Sequence, residues 1–89
     1  MVIFVKKNKV KIKVLFFGMS KDLVGENQVS LSFDDELSIT DFRQRLIEHF
    51  PSLEKMSTYT IALNEEYAEE TQLLSNNDIV AIIPPVSGG

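Results

Sequence analysis

The chain ends Pro84-Pro85-Val86-Ser87-Gly88-Gly89, and these six residues carry its clearest chemical signal. Two consecutive prolines fix φ and hold the chain extended as it leaves the preceding segment. Two terminal glycines have no side chain, so another backbone or a nucleotide can approach them closely. A stiff exit and a slim lead-in suit a terminal carboxylate that a second protein must reach. A carboxylate alone is a poor acylating agent. Converted to an acyl-adenylate, it can be attacked by a sulfur or nitrogen nucleophile. Such a tail would thread a narrow channel in a partner, and a side chain at Gly88 or Gly89 would block it. A terminal Gly-Gly alone is a weak signal, because chain ends that carry no packing are usually chemically silent.

The remaining candidates for chemistry are weaker. The chain has no cysteine, which excludes a disulfide framework, a thiolate metal site and a thiol nucleophile. His49 is the only histidine, too little for a usual metal site, and it reads as a solvated residue near a helix end. The acidic groups Asp34-Asp35-Glu36, Glu65-Glu66 and Glu69-Glu70 lack the frame of a calcium loop. They read as loop charges that confer solubility or meet a basic partner. Ser87 with His49 makes no triad, since neither a third member nor an elbow motif accompanies them.

The elements that must position the tail follow from periodicity. In residues 10–17, Val10, Ile12, Val14 and Phe16 share one face of a strand, and Lys11, Lys13, Leu15 and Phe17 the other. Residues 18–25 hold about two helical turns between two glycines. Residues 27–33 alternate again. Ser38 is placed to cap a helix in which Ile39, Phe42, Leu46 and Phe50 recur at helical spacing, and Pro51 is expected to stop it. Residues 58–63 read as a strand, Tyr67-Ala68 as the start of a short partner, and residues 79–83 as an apolar central strand. Pro84-Pro85 ends that strand, because proline cannot donate to the ladder. The order predicts an α+β fold, with one main helix packed on one face of a mixed sheet. If the first and last strands lie side by side at its centre, the arrangement is a β-grasp.

At 89 residues one domain is expected, with room for one core and almost none for a deep pocket. Residues 1–9 read as an N-terminal extension, 10–83 as the folded domain and 84–89 as the extended tail. The net charge of −4 argues against nucleic acid, which needs a basic face. No apolar run approaches the ~20 residues that span a bilayer. The expectation is a cytosolic protein with neither a nucleic-acid nor a membrane partner.

Three stretches carry a family resemblance: Lys13-Val14-Leu15-Phe16-Phe17, Leu23-Val24-Gly25, and the run from Asp78 through Ile79-Val80-Ala81-Ile82-Ile83 into the tail. From about Val10 to Gly89 the chain resembles the small sulfur-carrier subunits of molybdopterin synthase. The terminal block Asp-x-Val-Ala-x-x-Pro-Pro-Val-Ser-Gly-Gly is the specific part. The resemblance implies a ubiquitin-like β-grasp and a defined cycle. An E1-like adenylyltransferase would adenylate Gly89 with ATP and Mg, and sulfur from a persulfide donor would convert it to a thiocarboxylate. The tail, Pro84 to Gly88 leading Gly89, would enter the active site of a large catalytic subunit. There it would pass sulfur to cyclic pyranopterin monophosphate within a heterotetramer. No cofactor is expected to reside on this chain, and no metal.

Phe17 and Ile83 would form an apolar patch near the tail exit if the first and last strands are neighbours, with Leu15 on the same face. The resemblance implies that Phe17, Tyr67 and Ile83 contact the large subunit. Two other readings stand beside the first: a related sulfur carrier or ubiquitin-like modifier conjugated through Gly89, and a plain β-grasp interaction domain with an inert tail.

Overall fold

Alternation along the first strand, β1 (Val10–Phe16), buries Val10, Ile12, Val14 and Phe16 and leaves Lys11 and Lys13 in solvent. The computed structural model describes residues 9–56 and 58–85. A two-turn helix, α1 (Gly18–Val24), follows directly, with Phe17 as its extended N-cap and Gly25 closing it in the left-handed region at φ 82°. The second strand, β2 (Gln28–Phe33), runs antiparallel to β1, pairing Val14 with Val29 and Ile12 with Leu31.

The main helix, α2 (Ile39–His49), starts as its cap residue predicts. Ser38 Oγ accepts a hydrogen bond from the Asp41 N–H at 3.2 Å. Its apolar stripe of Ile39, Phe42 and Leu46 is buried. Pro51 does more than stop the helix. It opens a 3₁₀ turn, Pro51–Lys55, that drives Leu53 fully into the core. Proline fits there because the first residue of a helical turn has no use for its N–H.

The third strand, β3 (Thr60–Leu63), is two residues shorter than the expected 58–63 and pairs with a two-residue β4 (Glu66–Tyr67). Asn64 and Glu65 join them with φ of 49° and 74°, the positive pair that a two-residue hairpin requires. Asn64 also extends the sheet: its Oδ1 accepts from the Ile79 N–H at 2.9 Å, and its own N–H donates to the Ile79 carbonyl at 2.8 Å. The last strand, β5 (Asp78–Ile83), is the central one.

The sheet order is β2-β1-β5-β3-β4. β1 and β5 are parallel and adjacent, while the other neighbours are antiparallel. This is the β-grasp expected from the element order. One sheet face, through Ile12, Val14, Phe16, Ile61, Leu63, Val80 and Ile82, shares a single core with Ile39, Phe42 and Leu46 of α2. Phe16 meets Phe50 edge-on at 5.5 Å, and Phe33 meets Phe42 at 6.2 Å. Beside the core, Arg43 on α2 bridges Glu70 at 2.8 Å and donates to the Tyr59 carbonyl at 3.1 Å. Burial pushes the Tyr59 hydroxyl up from its ordinary range, and the guanidinium over its ring opposes the shift.

Candidate docking face and tail exit

Period two leaves the other sheet face uncovered by α2, and strand register decides what stands on it. Paired residues share a face, so the pairings Leu15–Ala81, Ala81–Ala62 and Ala62–Tyr67 form one row across four strands. At about 4.8 Å per strand, Leu15 and Tyr67 stand about 14 Å apart over a floor of two alanines. One step along, Ile83 pairs with Thr60, and Phe17 follows the Phe16–Ile82 pair to reach the level of Ile83. The opposite end of the face carries Lys13 beside Ile79, and β2 supplies Gln28, Ser30 and Ser32.

Exposure separates the candidates. Phe17 is 49% exposed and Tyr67 79%, while Leu15 and Ile83 are half-buried. Ile79, at 42%, adds an apolar side chain that sequence reasoning passed over as part of a buried run. Its position opposite Val80 in the period-two pattern was the available signal. Among the described strand residues whose side chains share this face, none is acidic, although the chain has 13 carboxylate side chains. An uncharged apolar strip with lysines at one end, in an acidic chain, is the composition of a protein-docking surface.

Sequence reasoning also missed what holds Phe17. Ser20 is fully buried, and its Oγ donates to the Phe17 carbonyl at 2.7 Å while accepting from the Phe17 N–H at 3.0 Å. The backbone of an exposed aromatic is thereby fixed at the point where β1 turns into α1. Ser52 Oγ ties the far end of α1 to the 3₁₀ turn through the Leu23 carbonyl at 2.8 Å. Replacing Ser20 with Ala leaves the Phe17 N–H without its partner, at a cost of about 1–3 kcal/mol. Urea denaturation measures it, and an unmoved midpoint would mean that water replaces the hydroxyl.

Pro84 is half-buried and Pro85 exposed, just past the end of β5. Val86, Ser87, Gly88 and Gly89 lie outside the described residues, as does the N-terminal extension up to Asn8. His49 is exposed and leans its ring toward Phe50 at 6.2 Å. Among the described residues, no three His, Cys, Asp or Glu side chains gather where a metal ion would fit. None of the described helices is long and apolar enough to cross a membrane.

A parallel β1–β5 centre with one crossing helix, an apolar uncovered face and a proline-led exit beside it define a ubiquitin-like β-grasp protein. The model of the ThiS family matches residues 14–89, and the chain belongs to that family. The molybdopterin synthase sulfur carrier subunit of Arabidopsis thaliana is 37% identical over 83 residues, spanning 92% of this chain and 86% of the relative. Solved structures share the fold. A protein from Pyrococcus furiosus described as molybdopterin converting factor, subunit 1, superposes with TM-score 0.79 at 21% identity, over 86% of this chain and 99% of its own. A chain in the complex of subunits 1 and 2 of the molybdopterin-converting factor from Helicobacter pylori gives 0.66 at 22% identity, over 90% of this chain and 100% of its own.

Proposed function

We propose that this protein is the sulfur carrier of molybdopterin synthesis and that its reacting group is the carboxylate of Gly89. The observation that carries the proposal is the family match, which covers residues 14–89 and so takes in the whole tail. The 37% identity to a named sulfur carrier subunit supports the pathway. The apolar face at the exit of β5 supports delivery of the tail by docking.

The cycle follows from carboxylate chemistry. An E1-like partner attaches AMP from ATP to the Gly89 carboxylate and releases pyrophosphate, so ATP and Mg belong to that partner's site. The terminal sulfur of a persulfide displaces AMP, and a thiol then cleaves the sulfur–sulfur bond, leaving a thiocarboxylate. In the large subunit that sulfur displaces an oxygen substituent from a side-chain carbon of cyclic pyranopterin monophosphate. Water then cleaves the acyl–sulfur bond, leaving the sulfur on the pterin and the carrier as a carboxylate ready for another round. Two transfers complete one dithiolene. A thiocarboxylate is a soft nucleophile, ionised at neutral pH, and suits a reducing cytosol.

In this scheme the chain supplies no catalytic side chain. It contributes the docking face of Phe17, Leu15, Ile83 and Tyr67, the lead-in Pro84-Pro85-Val86-Ser87-Gly88, and the reacting terminus. Helicobacter pylori subunits 1 and 2 were solved as a complex, which supports a large catalytic subunit as partner.

Intact-protein mass spectrometry after incubation with an E1-like activator, ATP and a sulfur donor tests the reading. The expected result is a mass gain of one oxygen replaced by sulfur, mapped to Gly89, followed by transfer to the pterin precursor. Isopeptide-linked conjugates without the sulfur gain would instead indicate a modifier. No gain with a competent cognate activator would overturn the proposal.

A further inference from the structure

The chain passes from β1 into α1 with no loop, and Gly18 makes the corner. It adopts φ 54°, in the left-handed region, directly after the extended Phe17. A side chain there is strained by backbone sterics alone. Space is restricted as well: a Cβ built on Gly18 would stand 3.2 Å from Cγ of Pro84. The parallel register accounts for the meeting. Phe16 pairs with Ile82, so two residues on, Gly18 comes level with Pro84, the first residue of the tail.

We propose that Gly18 is a positioning residue for the tail: its bare Cα forms the seat on which the Pro84 ring rests. This deepens the sulfur-carrier reading and rests on it. The Pro84 ring can yield only by changing its pucker or by moving with its backbone, since its φ is fixed. A side chain at position 18 therefore presses on the Pro84 ring, and one larger than a methyl moves Pro84 at the root of the segment that must enter a partner. The same corner holds Phe17 through the buried Ser20 hydroxyl. Gly18 thus sets the tail root, Pro84, relative to the docking face, so that a partner seated on the domain finds that root in a constant place.

The test is rescue. Gly18→Ala displaces the ring by a few tenths of an ångström, and sulfur loading should fall about twofold to threefold. Gly18→Val adds two methyls on a stiff χ1 and should lower kcat/KM for loading by about tenfold or more, within the ~10²-fold that a misplacement of about 1 Å can cost. Pro84→Ala removes the ring carbons that the new side chain strikes. In that background Gly18→Val should lose less than about threefold relative to Pro84→Ala alone.

An equal loss in both backgrounds would assign the effect to backbone strain and overturn the inference, as would undiminished loading by Gly18→Val. Failure of the unaltered chain to load would instead count against the sulfur-carrier reading. The seat is then decided by nuclear Overhauser contacts between Gly18 and Pro84. Contacts present in the unaltered chain, with Pro85 resonances moved by Gly18→Val, uphold it; their absence overturns it.

Discussion

Removal of Gly88 and Gly89 leaves the protein folded and abolishes sulfur transfer. Among the described residues, the core runs from Val10 to Ile82 and includes neither Pro84 nor Pro85. Stability should therefore stay within about 0.5 kcal/mol of the full chain, as for changes far from packed features. Transfer should fall below detection, since the displaced carboxylate sits on Ser87, behind a side chain and two residues short of the partner's reacting centre. The two halves are measured separately, by thermal denaturation and by mass spectrometry of the loaded carrier. Full activity from the truncated chain would sink the sulfur-carrier reading. A lower melting temperature would show that the tail packs on the domain.

Phe17→Asp should weaken the complex with the large subunit by about thirtyfold or more, corresponding to at least 2 kcal/mol for an aromatic anchor at an interface. The substitution separates binding from folding unusually well. Phe17 is half exposed, so little core is lost. It is also the N-cap of α1, a position at which aspartate is among the preferred residues, because its carboxylate accepts from the free N–H groups of the first turn. The variant should fold with near-normal stability and still present its tail. Titration calorimetry against the large subunit reads the loss. Unchanged affinity would remove Phe17 from the interface and leave Leu15, Ile83 and Tyr67 to be tested in turn.

Gly18 and Phe17 make distinguishable contributions. A change at Phe17 acts on association with the partner. A change at Gly18 acts on the placement of the tail once the partner is seated, and is relieved by removing the Pro84 ring. Comparing both sets of variants in binding to the large subunit and in sulfur transfer within it therefore separates docking from delivery.

Much of this protein was legible in its residues. Alternation at Val10-Ile12-Val14-Phe16 determines a strand with one buried face, because a period of two is a property of the extended backbone itself. The stripe Ile39, Phe42, Leu46 behind the Ser38 cap determines the main helix in the same local way. The tail's chemistry needs no fold to be read, since prolines and glycines act through their own backbones. Strand order was not legible. The sequence allowed β1 and β5 to be neighbours, but that pairing joins residues more than sixty positions apart, and local pattern contains no term for it. Only the folded sheet puts Phe17 level with Ile83 and lines up Leu15, Ala81, Ala62 and Tyr67. Pro51, read as a stop, became the start of a turn because Leu53 had a place in the core. Ser20 looked like any polar helix residue until the corner buried it against Phe17. Gly18 read as one of two glycines bounding a short helix until the parallel pairing brought the Pro84 ring to within 3.2 Å of where a Cβ on it would stand. Residue type determined what the tail can do, and non-local packing decided where it starts.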